Sequence, residues 1–124
     1  MNEKFNVKIV RFKTGEDIIC FCFEDYKLNK IVIKYPKTFY KYIDVESNET
    51  ELLLEDWMNQ EAFAYQEIVV SLDEVLFTTY SNVLFGYKYL ASVSEELEQD
   101  DEELAARVKE TIESLTVPKE ETIH

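Results

Sequence analysis

The segment from Lys13 to Ile33, KTGEDIICFCFEDYKLNKIVI, constrains the fold more than any other part of the chain. It reads as two β-strands. A tight Thr14-Gly15 turn precedes them, and Asp25-Tyr26-Lys27-Leu28-Asn29 turns between them. The first strand is apolar at consecutive positions from Ile18 to Phe23, and such a run predicts a strand covered on both faces. The cover can come from a small closed barrel, a helix, another subunit or a mixture of these. A chain of 124 residues has little material for both faces and for the sheet borders, so self-association is expected.

The rest of the chain supplies more strands and then a change of period. Phe5 to Phe12 alternates as a half-buried strand. Ile31 to Ile43 is a long apolar and aromatic run interrupted by Pro36, where the strand is expected to bend or lie at an edge. Leu52–Trp57, Glu67–Val70 and Val75–Tyr80 read as further strands, with an irregular aromatic connector from Asn59. From Val83 the apolar residues fall at helical spacing, and a second helical stripe runs through Leu104, Val108, Ile112 and Leu115. Pro118 ends it and a loose tail is expected to follow. Strands joined by short turns favour an antiparallel meander, and curling it into a barrel removes exposed edges.

The expected class is therefore mainly β: a small, strongly bent, five-stranded antiparallel barrel over residues 1–80. A C-terminal helical extension over 81–117 packs on the barrel or projects from it, and 118–124 form the tail. With 46% hydrophobic residues global disorder is excluded. No run of 18 apolar residues exists, which argues against a membrane span. The N-terminal residues do not read as a signal peptide, so a cytoplasmic location is expected.

Charge is unevenly spread. Residues 1–50 carry nine Lys/Arg against eight Asp/Glu, residues 51–94 one against seven, and residues 95–124 three against eleven. A chain of net charge −13 is a poor partner for polyanions. Nucleic acid, if bound, is expected on the first half.

Enzymatic residues are scarce. The one His is terminal, which leaves no Ser/His/Asp set, and Gly15 and Gly86 cannot make a glycine-rich phosphate loop. Cys20 and Cys22 with that distant His fall short of a zinc site; they read as small buried hydrophobes. No catalytic residue, metal site or cofactor is expected. Binding is better supported. Lys27, Lys30, Lys34, Lys37 and Lys41 interleave with Tyr26, Tyr35, Phe39, Tyr40 and Tyr42. Cations that hold phosphates beside rings that stack on bases suit single-stranded nucleic acid. The same residues also fit a solvated strand face and ordinary core.

The spacing of Gly15, Ile18, Cys20, Cys22 and the Asp25–Asn29 turn resembles the first motif of the Sm/LSm family. The Lys-Thr-Gly-Glu start, Leu-Glu-Asp-Trp-Met at 54–58 and Asp-Glu-Val-Leu-Phe at 73–77 resemble in particular the divergent Sm-like proteins of tailed phages of marine cyanobacteria. The likeness covers residues 5–80. Two departures stand out: Gly15 to Asp25 is one residue short, and Cys20 replaces a glycine. The resemblance implies a bent open barrel, a homo-oligomeric ring of five to seven subunits joined by edge-strand pairing, and binding of single-stranded RNA in RNA metabolism. It implies that Asp25 orients the turn, Asn29 contacts a base with Leu28 beside it, and an aromatic near Tyr26 or Lys27 stacks. Lys30 and Lys34 complete the expected site. The second motif, an Arg-Gly turn, is replaced by Ser71 and Leu72, followed by Asp73-Glu74. An acidic turn there removes attraction for phosphate and adds repulsion. The alternative is a ring-shaped assembly or adaptor module without RNA binding, which docks a protein partner through its amphipathic C-terminal helix.

Overall fold

The computed structural model describes residues 5–64, 66–100 and 102–116. The first unit, up to Asn82, is a six-stranded sheet. β1 (Asn6–Phe12), β2 (Asp17–Asp25), β3 (Lys30–Ile43) and β4 (Thr50–Asp56) follow as an antiparallel meander. β5 (Glu67–Ser71) returns to pair with β3, and after a 3-10 turn over Leu72–Glu74, β6 (Val75–Tyr80) pairs with β1.

Local chemistry sets the turns. Gly15 takes a φ of 97°, which L side chains rarely adopt, and its N–H donates to the Phe12 carbonyl at 2.9 Å. Asp25 Oδ1 accepts the Leu28 N–H at 3.1 Å, and Asn29 enters the left-handed region at φ 53° to close the β2–β3 turn.

β3 holds its two halves differently. Lys30–Lys34 lies between β2 and β5, whereas 37–43 pairs with β4. The handover falls at Tyr35-Pro36, where the register with β2 shifts and Tyr35 has φ 51°. The Tyr35 N–H bonds the Gln66 carbonyl at 2.7 Å and the Pro36 carbonyl accepts the Trp57 N–H at 3.3 Å. Proline has no donor to lose there, and the bulge supplies the expected bend. β4 and β5 are thus successive strands along one side of β3, separated by the 57–66 connector.

This corrects the five-stranded barrel. The sheet has six strands, with β4 and β5 kept apart by the 57–66 connector as the separate segments at 52–57 and 67–70 predict, and no ladder joins β5 to β6 among the described residues. The 3-10 turn spans that gap: Leu72 N–H donates to the Asn29 carbonyl and Lys13 N–H to the Glu74 carbonyl, at 3.0 and 2.9 Å. The sheet is therefore bent but not closed, with β4, β5 and β6 offering edges.

One face of the sheet buries Val10, Phe12, Ile18, Cys20, Cys22, Ile31 and Ile33, flanked by Ile68, Val70, Leu72, Val75 and Trp57. The Trp57 ring stacks on Phe12, 5.5 Å between centroids. On the opposite face of β2, Ile19 and Phe21 are only 0% and 4% exposed. Both flanks of β2 are therefore covered within a single copy. The feature that bears on self-association is then the set of sheet edges.

The second unit consists of α1 (Val83–Asp100) and α2 (Glu102–Thr116), which pack against each other. Leu90, Val93 and Leu97 on α1 and Leu104 and Val108 on α2 are buried at helical spacing. α1 runs six residues past Ser94. The Ile112 and Leu115 side chains and the tail from 117 lie outside the described residues.

Candidate functional site

The two candidate loops meet. Asn29 Nδ2 donates to Asp73 Oδ1 at 3.1 Å, and its carbonyl holds the Leu72 N–H. Ser71 Oγ accepts the Asp73 N–H, which fixes the turn that carries the carboxylate. Asp25 is spent on the Leu28 N–H. Tyr26 and Leu28 project from the turn, 75% and 64% exposed. Lys27 is exposed and Lys30 half-buried. The arrangement offers one aromatic ring and two cations, set against the carboxylates of Asp25, Asp73 and Glu74. Asn29 spends one amide N–H on Asp73, which leaves its second N–H and its Oδ1 to read a base edge.

The lysine–tyrosine run does not form one platform. Lys34 ion-pairs with Glu67 at 3.7 Å, and its ammonium lies 4.4 Å from the centre of the Phe5 ring. Lys37 is 7% exposed and bonds the Asp56 carboxylate. Asp56 Oδ2 also accepts from Gln60. Tyr40, Lys41 and Tyr42 lie beyond Thr38, the last β3 residue paired with β2, and so stand well away along β3 from the Tyr26 turn. The structure therefore separates residues that the linear pattern groups.

A polar cluster that the motif reading overlooks sits on the core-side face of β1 and β2. Lys8 Nζ bonds Glu24 Oε1 at 2.9 Å. Glu24 Oε2 accepts from Thr78 Oγ1 at 2.6 Å and from the Tyr26 hydroxyl at 3.1 Å. The Lys8 ammonium also lies 4.8 Å from the centre of the Tyr80 ring. Burial pushes the Glu24 carboxyl up, but hydrogen bonds from Thr78, Lys8 and Tyr26 and the Lys8 charge outweigh it, and the net shift is downward. The Glu24 hydrogen bond in turn raises Lys8 against its own desolvation. This pair is legible in retrospect: Lys8 shares its strand face with Val10 and Phe12, and a charge on a core face requires a partner.

The two cysteines are free and buried. Hydrogen bonding with Cys22, then burial, pushes the Cys20 thiol well above its ordinary range, so it stays protonated. Among the described residues no group of three or more His, Cys, Asp or Glu side chains is arranged to hold a metal, and no helix is long and apolar enough to cross a membrane.

No protein-family model and no curated protein matches this chain. The Sm-like resemblance therefore rests on the residues quoted for it.

Proposed function

We propose that this chain is a self-assembling Sm-like module that forms a homo-oligomeric ring and serves as a platform for protein assembly. The carrying observation is the state of its sheet edges. β6, VLFTTY, is an edge strand without a single charge, and Leu76, Phe77 and Tyr80 are exposed on it. Val69 is exposed on β5 across the gap. Solitary sheets blunt such edges with lysine, proline or short strands. Pairing β6 of one copy with β5 of the next satisfies both borders. The resemblance to tailed-phage proteins extends this reading to the cytoplasm of a bacterial host.

Light scattering on the purified protein is the test. The expected mass is that of several subunits at micromolar concentration, and Leu76→Lys or Val69→Lys is expected to give monomers with an unchanged unfolding midpoint. A folded wild-type monomer overturns the proposal.

A second reading, binding of single-stranded RNA, is favoured by the contact between Asn29 and the Ser71–Asp73 turn beside exposed Tyr26. Its drawback is Asp73, which faces any phosphate that approaches Asn29. Absence of binding to uridine- or adenine-rich oligomers at about 50 mM salt, where phosphate contacts are strongest, sinks it.

A further inference from the structure

The cluster around Glu24 ties together β2 and β6, which share no ladder among the described residues. Thr78 on β6 stands opposite Val10 on β1, and Val10 stands opposite Ile18 on β2. Glu24 lies six residues beyond Ile18. In a flat sheet that offset is about 20 Å along the strands. Thr78 Oγ1 nevertheless donates to Glu24 Oε2 at 2.6 Å. The far end of β2 must therefore curl back over β1 to reach β6. Lys8, on the intervening strand, donates to Glu24 Oε1 at 2.9 Å and holds the carboxylate in that position. The Glu24 side chain is only 10% exposed, so this clasp is largely shielded from water.

Its position bears on the two edges that carry assembly. Glu24 pairs with Ile31 on β3 and Ile31 with Val70 on β5, so one row of the sheet runs from Glu24 to β5. β5 and β6 also meet at a corner, the 3-10 turn over Leu72–Glu74. Corner and clasp together fix the angle between the β5 and β6 edges within one copy. When β6 of each copy pairs with β5 of the next, that angle is the rotation from one subunit to the next. A head-to-tail interface closes into a ring only when its rotation divides the full turn, and otherwise it builds an open helical array.

We propose that Glu24 is a positioning residue for assembly: through Thr78 it sets the angle between the β5 and β6 edges and thereby the number of subunits in the ring. The proposal rests on the assembly reading. Leu76→Lys, which blocks the pairing itself, reports on that reading, whereas variants of the clasp report on the angle. Tyr26 supplies an internal control. Its hydroxyl donates to the same Glu24 Oε2 at 3.1 Å, but Tyr26 belongs to the turn after β2 and bridges no edge.

Native mass spectrometry of the full chain counts the subunits. Wild type is expected to show a single number. Thr78→Val keeps the shape of the side chain and removes the donor. It is expected to shift that number by at least one subunit or to spread it over several, with the unfolding midpoint checked. Glu24→Gln, which removes the charge that holds Lys8, is expected to do the same and serves where Thr78→Val does not fold. Thr78→Ser restores the hydroxyl and the wild-type number. Tyr26→Phe leaves the number unchanged. A monomeric wild type overturns the assembly reading and this inference together. A wild-type number that persists in Thr78→Val and Glu24→Gln overturns the inference alone. So does an equal shift in Thr78→Ser or Tyr26→Phe, which assigns the change to a general loosening of the cluster. Loss of folding in both clasp variants also overturns it, because Glu24 then holds the fold and not an angle.

Discussion

The two halves of β3 are built from similar residues and meet opposite fates. Ile31 and Ile33, with β2 on one side and β5 on the other, are fully buried. Tyr40, Tyr42 and Ile43, with β4 alone beside them, remain 44–55% exposed. Side-chain chemistry does not separate these groups. The number of neighbouring strands does, and that number is decided by where β2 ends and where the Tyr35-Pro36 bulge passes β3 from one partner to another. An aromatic stripe in a linear sequence is therefore a core or a surface according to topology.

Substitution in the first half gives the largest effect. Ile33→Ala removes a buried side chain from the cluster formed with Val10, Ile18 and Cys22. The expected loss is about 3 kcal/mol, read as a lower urea midpoint at unchanged slope. A loss comparable to that of a surface substitution would erase the distinction between the halves.

Lys37 marks the border. It sits between Ile19 on β2 and Asp56 on β4, and its ammonium bonds the Asp56 carboxylate. Lys37→Ala forfeits the packed stem and leaves Asp56, itself partly solvated, with one cation fewer. The expected cost is about 1–2 kcal/mol in urea unfolding. The double variant with Asp56→Ala is expected to cost less than the sum of the two single changes, because the interaction is lost once.

Much of the frame was legible. The strand segments follow from apolar runs cut by Gly15, the Asp25–Asn29 turn and Ser71–Glu74, and both helices follow from their 3.6-residue spacing. What escaped needs register. Nothing within Ile31–Ile43 announces that Lys37 meets an aspartate nineteen residues on, or that Lys34 is engaged by Glu67 and Phe5. Lys8 and Thr78 meet at Glu24 only because β1 lies between β2 and β6. The two loops of the candidate site could be paired by resemblance. The bond between Asn29 and Asp73, which takes one N–H of the amide, depends on a side-chain geometry that spacing does not encode. Gap and bulge were equally hidden, since Pro36 signals a bend without saying which strands exchange there.

The Lys8–Glu24 pair tests the well-flanked region through pH. The folded-state value of Glu24 lies below its ordinary 4.5, so its charged form stabilises the fold above about pH 4.5, and that contribution disappears as pH falls through the lower folded value. Glu24→Gln leaves Lys8 without its anion and is expected to cost about 1 kcal/mol at pH 7, moderated by solvent around the pair. The gap between wild type and variant should shrink as pH drops below 4.5. A gap that is constant from pH 7 to pH 3 would mean that Glu24 contributes through shape and not through charge.

The smallest effect belongs to the far half of β3. Tyr42 is half exposed opposite Glu51, with no further strand paired to either residue among the described residues. Tyr42→Ser removes a ring that covers little of the folded sheet, so the unfolding midpoint is expected to move by less than about 0.5 kcal/mol equivalent. Its value lies in the contrast with Ile33→Ala: two changes on one strand, nine residues apart, with very different costs. The contrast is sharpest in the isolated chain. Urea unfolding of the two variants side by side measures it. A midpoint shift for Tyr42→Ser as large as that for Ile33→Ala would mean that the number of neighbouring strands does not set the cost.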